Sequence, residues 1–284
     1  VKKGRRRQQP VLEETGPYSP SLSNVVFKTI SEYQEIVVAD DPFERTRYLH
    51  SERLDIIQGA MKLDDPDELL LEYNRNSLIG LALLESEARS VLLAGLGAGS
   101  LPGFVHRLLP RARVEVVELD PVVVEVARTY FNFDPSIPVH ISDARAFLEA
   151  SKKRYDAIFL DCFIGPDIPG HLLTLEFLKG VRLRLRPGGV AVANMQPVET
   201  NPLSPSVVET FQAVFPRVHL FSSLESANVI LVAVRSPAGT APPTFVPAAR
   251  NFERRTGQFM GLLGTAEREF FWLSPAPPPP ILRD

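Results

Sequence analysis

Apolar positions along this 284-residue chain follow two regimes. Between residues 21 and 62 they come in short runs, "NVVFKTI", "YQEIVVAD" and "TRYLH", rich in β-branched and aromatic residues and separated by polar turns. That pattern predicts a small antiparallel meander. "DDPDELLLEYNRNSLIGLALLE" then sets a proline and acids ahead of an apolar-periodic stretch. Negative charge there meets the positive end of a helix dipole, so a helix from about Asp67 to Leu84 is expected. From Ser90 onward, continuous apolar runs ("SVLLAGL", "RVEVVEL", "VHIS", "YDAIFLD", "GGVAVANM") alternate with helical ones ("SLPGFVHRLL", "PVVVEVARTYF", "ARAFLEA", "TLEFLKGVRLRL"). Strands apolar on both sides are covered on both faces, which predicts a doubly wound, mostly parallel sheet in an α/β fold. "PSVVETFQAVF", "RVHLFS" and "ANVILVAV" add one helix and two strands suited to a terminal hairpin. After Val234 proline and alanine dominate; "RNFERRTGQFMGLLG" reads as a terminal helix, and "SPAPPPPILRD" favours polyproline II over packed structure.

Composition changes this picture little. A hydrophobic fraction of 44% and a net charge of −3 describe an ordinary globular chain with no general electrostatic case for nucleic acid. "KKGRRR" at residues 2–7 is a local basic cluster, read as a solvated, disordered tail. No secretory signal follows it, and no apolar run approaches the roughly 18 residues needed to span a bilayer, so a cytoplasmic protein without membrane contact is expected. Cys162 is the single cysteine, which leaves no intrachain disulfide, and the five histidines form no close pair, so no metal is expected.

Chemistry concentrates at the carboxyl ends of the predicted strands. "VLLAGLGAGS" runs a strand into Gly95, Gly97 and Gly99, a turn where backbone approaches a ligand without Cβ atoms in the way. A dinucleotide fingerprint has glycine where this chain has Ser100; the G-x-G-x-G spacing leans toward a nucleoside carrying an amino-acid tail. Glu118 ends the next strand, where an acid accepts hydrogen bonds from ribose hydroxyls. Asp143, after "VHIS", is placed either to accept from an adenine amine or to cap the helix "ARAFLEA", roles that do not exclude each other. Asp161 ends the fourth strand and faces the crevice, or else satisfies its own turn; a loop rich in Gly and Pro follows and is suited to act as a lid. Cys162 reads as packing rather than nucleophile, with no base identifiable beside it.

"LLAGLGAGSLP", "VEVVELDPVVVEVARTYF", "HISDARAFL", "YDAIFLD" and "HLLTLEFL", with "YQEI" and "DIIQG" before them, together resemble the spermidine synthase (polyamine aminopropyltransferase) family over about residues 33–195. The resemblance implies a class I S-adenosylmethionine (SAM) methyltransferase-like Rossmann domain preceded by a small antiparallel β-module, and usually a homodimer. With the pattern along the chain, the expected organisation is a disordered basic tail over residues 1–20, a small β-domain over 21–66, a nucleoside-binding catalytic domain over 67–235 and a Pro-rich extension with a helix over 236–284. Carried over, Gln58 and Gly95 line the nucleoside site with the rest of the glycine turn, Glu118 binds ribose, Asp143 with Ala144 recognises adenine, and Asp161, with Tyr73 nearby, acts on the attacking amine.

Three positions depart from the family pattern. An acid inside the glycine turn is replaced by Ala98, a second acid after Asp161 by Ile164, and the Glu of a Tyr-x-Glu pair by Arg75. All lose negative charge that in the family surrounds cationic groups, and an ammonium desolvated without partners costs several kcal/mol. Arg75 either projects into the site or forms a salt bridge elsewhere. The expected donor is SAM or its decarboxylated form, and the expected acceptor a small-molecule amine. Aminopropyl transfer is the family reading; N-methyl transfer and a nucleoside-binding module without turnover are the alternatives. No Tyr-Lys or His-Asp set supports NAD-dependent oxidoreduction.

Overall fold

A computed structural model describes residues 24–284 apart from 52, 85, 166, 226, 227, 237–243, 271 and 273, and of residues 53–55 the backbone alone. The basic tail expected over residues 1–20 lies outside the described residues.

Four antiparallel strands, β1 (Val25–Ile30), β2 (Glu35–Asp41), β3 (Thr46–Ser51) and β4 (Arg53–Lys62), pair in sequence order. Three of them match the β-prone runs. The longest, β4, carries no clear period-2 pattern in "RLDIIQGAMK", and its pairing with β3 is interrupted by register shifts near His50. Gly59 in β4 sits against the glycine turn, since a Cβ there would meet the side chain of Ala98.

The segment expected to form one helix over 67–84 is instead two short ones, α1 (Glu72–Ser77) and α2 (Ile79–Ala82), broken at Leu78. Tertiary contacts outweigh helix propensity here. Leu78 and Ile79 are fully buried, the Glu72 carboxylate accepts from the Leu224 and Glu225 amides, and a Cβ on Gly80 would collide with Val192.

An eight-stranded sheet follows, built from β5 (Ser90–Ala94), β6 (Arg113–Glu118), β7 (Val139–Ile141), β8 (Tyr155–Leu160), β9 (Leu185–Met195), β10 (Val218–Ser222), β11 (Val229–Val234) and β12 (Glu269–Phe270). The spatial order is β12-β10-β11-β9-β8-β5-β6-β7, parallel from β9 to β7 and antiparallel at the other end. Alternate residues feed separate cores: Val91, Leu93, Val116, Phe159 and Val192 on one face, Leu92, Ala94, Val117, Ile158 and Ala191 on the other. Two covered faces are what continuous apolar runs demand. The connecting helices are α3 (Ser100–Leu108), α4 (Pro121–Tyr130), α5 (Ala144–Ala150), α6 (Leu175–Arg184) and α7 (Ser204–Val214).

The C-terminal expectation is corrected. One terminal helix becomes two, α8 (Phe245–Thr256) and α9 (Leu262–Glu267), separated by Gly257 and Gly261 at positive φ. The proline run itself is largely exposed and without regular structure, as expected, but the residues after it are anchored. The Leu282 carbonyl accepts from the Leu175 amide at the start of α6 (2.8 Å), the Leu282 amide donates to Thr210 Oγ1 of α7 (3.0 Å), and the Asp284 carboxylate accepts from both Arg145 terminal nitrogens at 2.6 Å. A proline run lacks amide donors, but the residues after it retain theirs and dock on α6 and α7.

Candidate active site

Register across the parallel strands assembles the site. Ala94 aligns with Val117 on one side and Leu160 on the other, and Leu160 aligns with Ala193. Gly95, Glu118, Asp161 and Asn194 therefore emerge side by side at the carboxyl edge, next to the point where the strand order reverses around β5. Such an edge is where open α/β sheets bind ligands. Here it opens into a cavity of about 370 Å³.

Gln58, Tyr73, Gly95, Gly97, Glu118, Asp143, Ala144 and Asp161 all line this one cavity. Gly99 does not; it stands before α3, with the Phe133 ring where its Cβ would be. Gly95 has φ +96°, and a Cβ on it would run into the Asp161 carbonyl oxygen. Its conformation and the closeness of β8 both require glycine.

Ala98 and Ile164 also line the cavity, so two of the three lost charges are lost from its wall. Arg75 does not. Its guanidinium bonds Glu225 at 3.1 Å and the Leu69 and Leu70 carbonyls, so of the two readings of Arg75 the salt bridge outside the site holds and projection into it does not. Those carbonyls are freed by the unwinding before α1, which draws the side chain back along its own segment.

Hydrogen bonds fix each acid differently. Both Glu118 oxygens accept backbone amides, Leu96 N at 2.8 Å and Asp120 N at 2.9 Å; burial nevertheless raises its pKa. Asp143 caps α5 through Ala146 N at 2.9 Å and pairs with His171 Nε2 at 2.7 Å. Burial works to raise Asp143, but those bonds hold its pKa below the usual value. Asp161 is raised by burial, opposed only by one hydrogen bond from Asn194 Nδ2 to Oδ1 at 2.9 Å. Burial and the neighbouring Asp161 charge push the Tyr73 phenol well up, so it stays protonated. Burial and three nearby carboxylates raise the Cys162 thiol, which disfavours a thiolate nucleophile.

Several residues in and beside the cavity wall escaped the sequence reading. Gln34 accepts at Oε1 from Ser51 Oγ (2.7 Å), Gln58 Nε2 (3.0 Å) and Gly165 N (3.4 Å), tying β3, β4 and the loop after β8 together. His171 rides on a 3₁₀ turn, Gly170–Leu172, in that same loop. Asn194 had a legible signal, a lone polar residue near the end of an apolar strand; Asn228, which donates to Asn194 Oδ1 at 2.8 Å, had none. Among the described residues, no group of three His, Cys, Asp or Glu is arranged to hold a metal, and no helix is long and apolar enough to cross a membrane.

Comparison with known proteins gives a consistent group. The Spermine/spermidine synthase domain matches residues 74–224. A polyamine aminopropyltransferase from Vibrio vulnificus is 33% identical over 225 residues, covering 77% of this chain and 74% of that protein. The crystal structure of human methyltransferase-like protein 13 in complex with SAH superposes with a TM-score of 0.58 at 27% identity, covering 72% of this chain and 96% of that one. A probable spermidine synthase from Corynebacterium glutamicum shares the fold, with a TM-score of 0.67 at 23% identity over 80% of this chain and 85% of that one.

Proposed function

Since the chain belongs to the spermine/spermidine synthase family of transferases, we propose that it alkylates an amine nitrogen with an adenosyl sulfonium, that its donor is intact SAM, and that the group transferred is the methyl. In this reading Gln58, Gly95 and Gly97 line the nucleoside, Glu118 accepts from the ribose hydroxyls, and Asp143 with Ala144 receives adenine. The acceptor nitrogen's lone pair forms the new N–C bond as the C–S bond breaks, its electron pair leaving on sulfur, and Asp161 takes the proton the nitrogen loses. Such displacements need a neutral nucleophile held in line, so positioning and one base supply most of the catalysis.

One observation carries the choice of donor: the glycine turn presents Ala98, 3% exposed, to the cavity where a carboxylate would distinguish the two donors. An acid there attracts the lone ammonium of decarboxylated SAM and repels the carboxylate of the intact form. Its loss removes both effects. With Arg75 turned outside, the preference for intact SAM rests on Ala98 rather than on a guanidinium. Calorimetric titration is expected to show intact SAM bound at least as tightly as the decarboxylated donor. A decarboxylated donor bound tenfold more tightly, about 1.4 kcal/mol, with spermidine formed from putrescine, overturns this in favour of aminopropyl transfer, the second reading, which the family match supports. Donor binding without product from any amine would leave a binding module.

Glu118→Ala is expected to weaken adenosyl-ligand binding by about 1.5–3 kcal/mol, the range for a charge-assisted hydrogen bond. The variant should also melt lower, because the Leu96 and Asp120 amides lose their acceptor. Calorimetry checks the first effect and a thermal melt the second; unchanged affinity would remove the ribose role. A homodimer and a cytoplasmic location belong to the same proposal, by family resemblance.

A further inference from the structure

Besides three carboxylates, Glu118, Asp143 and Asp161, the cavity wall holds no charged side chain among the described residues, and its other polar groups include several side-chain amides. Asn74, Asn194, Gln196 and Asn228 line it, with the hydroxyl of Thr200 and the apolar Ile164. The amides hold one another. Asn228 donates to Asn194 at 2.8 Å, Asn194 to Asp161 at 2.9 Å, and Asn201 to Gln196 at 2.9 Å.

The cavity's carboxylates divide unequally. Glu118 is engaged by two backbone amides, and Asp143 by the α5 amide and His171; both lie at the glycine-turn and α5 side. Asp161 has Oδ1 taken by Asn194, while Oδ2 accepts no hydrogen bond from the described residues. One carboxylate is thus left for an incoming amine. It balances one ammonium. A second ammonium on the same molecule would leave water for neutral amides, with no opposing charge to offset its desolvation. Amides both donate and accept, and so complement hydroxyl and amide groups without requiring charge.

We propose that the acceptor is a small monoamine whose other polar groups are uncharged, a hydroxyl or an amide, rather than a diamine or polyamine. This rests on the amine-alkylation reading of the site but uses a different part of the wall from the one that selects the donor. Ile164 then fills the place where a second carboxylate would serve a second ammonium.

The test compares isosteres. Putrescine and aminobutanol, which differ by one amine against one hydroxyl, are titrated calorimetrically into the protein saturated with S-adenosylhomocysteine, and separately with methylthioadenosine. Aminobutanol is expected to bind at least tenfold more tightly to the wild-type protein, and Ile164→Asp to shift the ratio at least tenfold toward putrescine. Putrescine binding as tightly as aminobutanol or tighter overturns the inference, as does the absence of saturable binding by either amine. The donor reading fails separately. A monoamine preference in the methylthioadenosine complex with no affinity for intact SAM removes the donor alone, whereas diamine preference with intact-SAM binding removes the acceptor class alone.

Discussion

Replacing Asp161 with asparagine is expected to lower turnover about 100- to 10,000-fold while leaving adenosyl-ligand affinity nearly unchanged, the range lost when a positioned general base is removed. Asparagine retains a carbonyl oxygen to accept from Asn194, so the shape of the site is kept while the proton acceptor is lost. The pH profile gives a second check. Burial raises the Asp161 pKa, so its basic form appears at higher pH than for an exposed aspartate, and the acid limb of kcat/KM should lie above the ordinary carboxylate range. The variant should have no such limb. Linkage has a definite sign: a carboxyl whose folded pKa is raised binds its proton more tightly when folded, and stability falls as pH rises from the unfolded pKa through the folded one. Above that window the asparagine variant should melt no lower than wild type. Wild-type turnover in the variant would make Asp161 structural.

Gly95→Ala is expected to be strongly disruptive. A left-handed or otherwise positive φ costs a non-glycine residue about 1–3 kcal/mol, and here the methyl also meets the Asp161 carbonyl oxygen. That oxygen belongs to backbone, so it cannot swing aside as a flexible side chain would. The expected result is a destabilisation of about 3 kcal/mol or more, with loss of both donor affinity and turnover because the base moves with its strand end. Urea unfolding measures the first and calorimetry the second. A variant as stable and as tightly binding as wild type would show that the turn relaxes freely.

The parts of the fold that were legible in the sequence are those whose signal is local. Each central strand reads as a continuous apolar run because both of its faces are covered, as the split of β5 between Val91 and Leu93 on one side and Leu92 and Ala94 on the other makes plain. The strand β4 was illegible for the converse reason: its bulged pairing breaks the alternation, and Gly59 is present for its approach to Ala98 rather than for any strand preference. The interruption at Leu78 and the docking of Leu282 follow from contacts with distant residues, and no propensity within either segment encodes them.

Within the candidate site the same division holds. Glycines at alternate positions and an acid at each strand end can be placed from sequence, because the right-handed crossover connections of a parallel sheet bring successive strand ends to one edge. Asp161, Glu118 and Gly95 are therefore legible in the sequence itself. Their surroundings are not. Arg75 has its carboxylate partner 150 residues away in Glu225, and the amide chain from Asp161 runs through Asn194 to Asn228, each link 33 or 34 residues long. By itself the sequence determined the order of the central strands and the helices between them, the glycine turn and the acids at strand ends, since chain chirality and hydrophobic period act on neighbouring residues. Only the tertiary structure decided that Arg75 turns outward and that an amide chain through Asn194 and Asn228 meets the single available carboxylate, because those outcomes depend on which distant side chains reach a charge first.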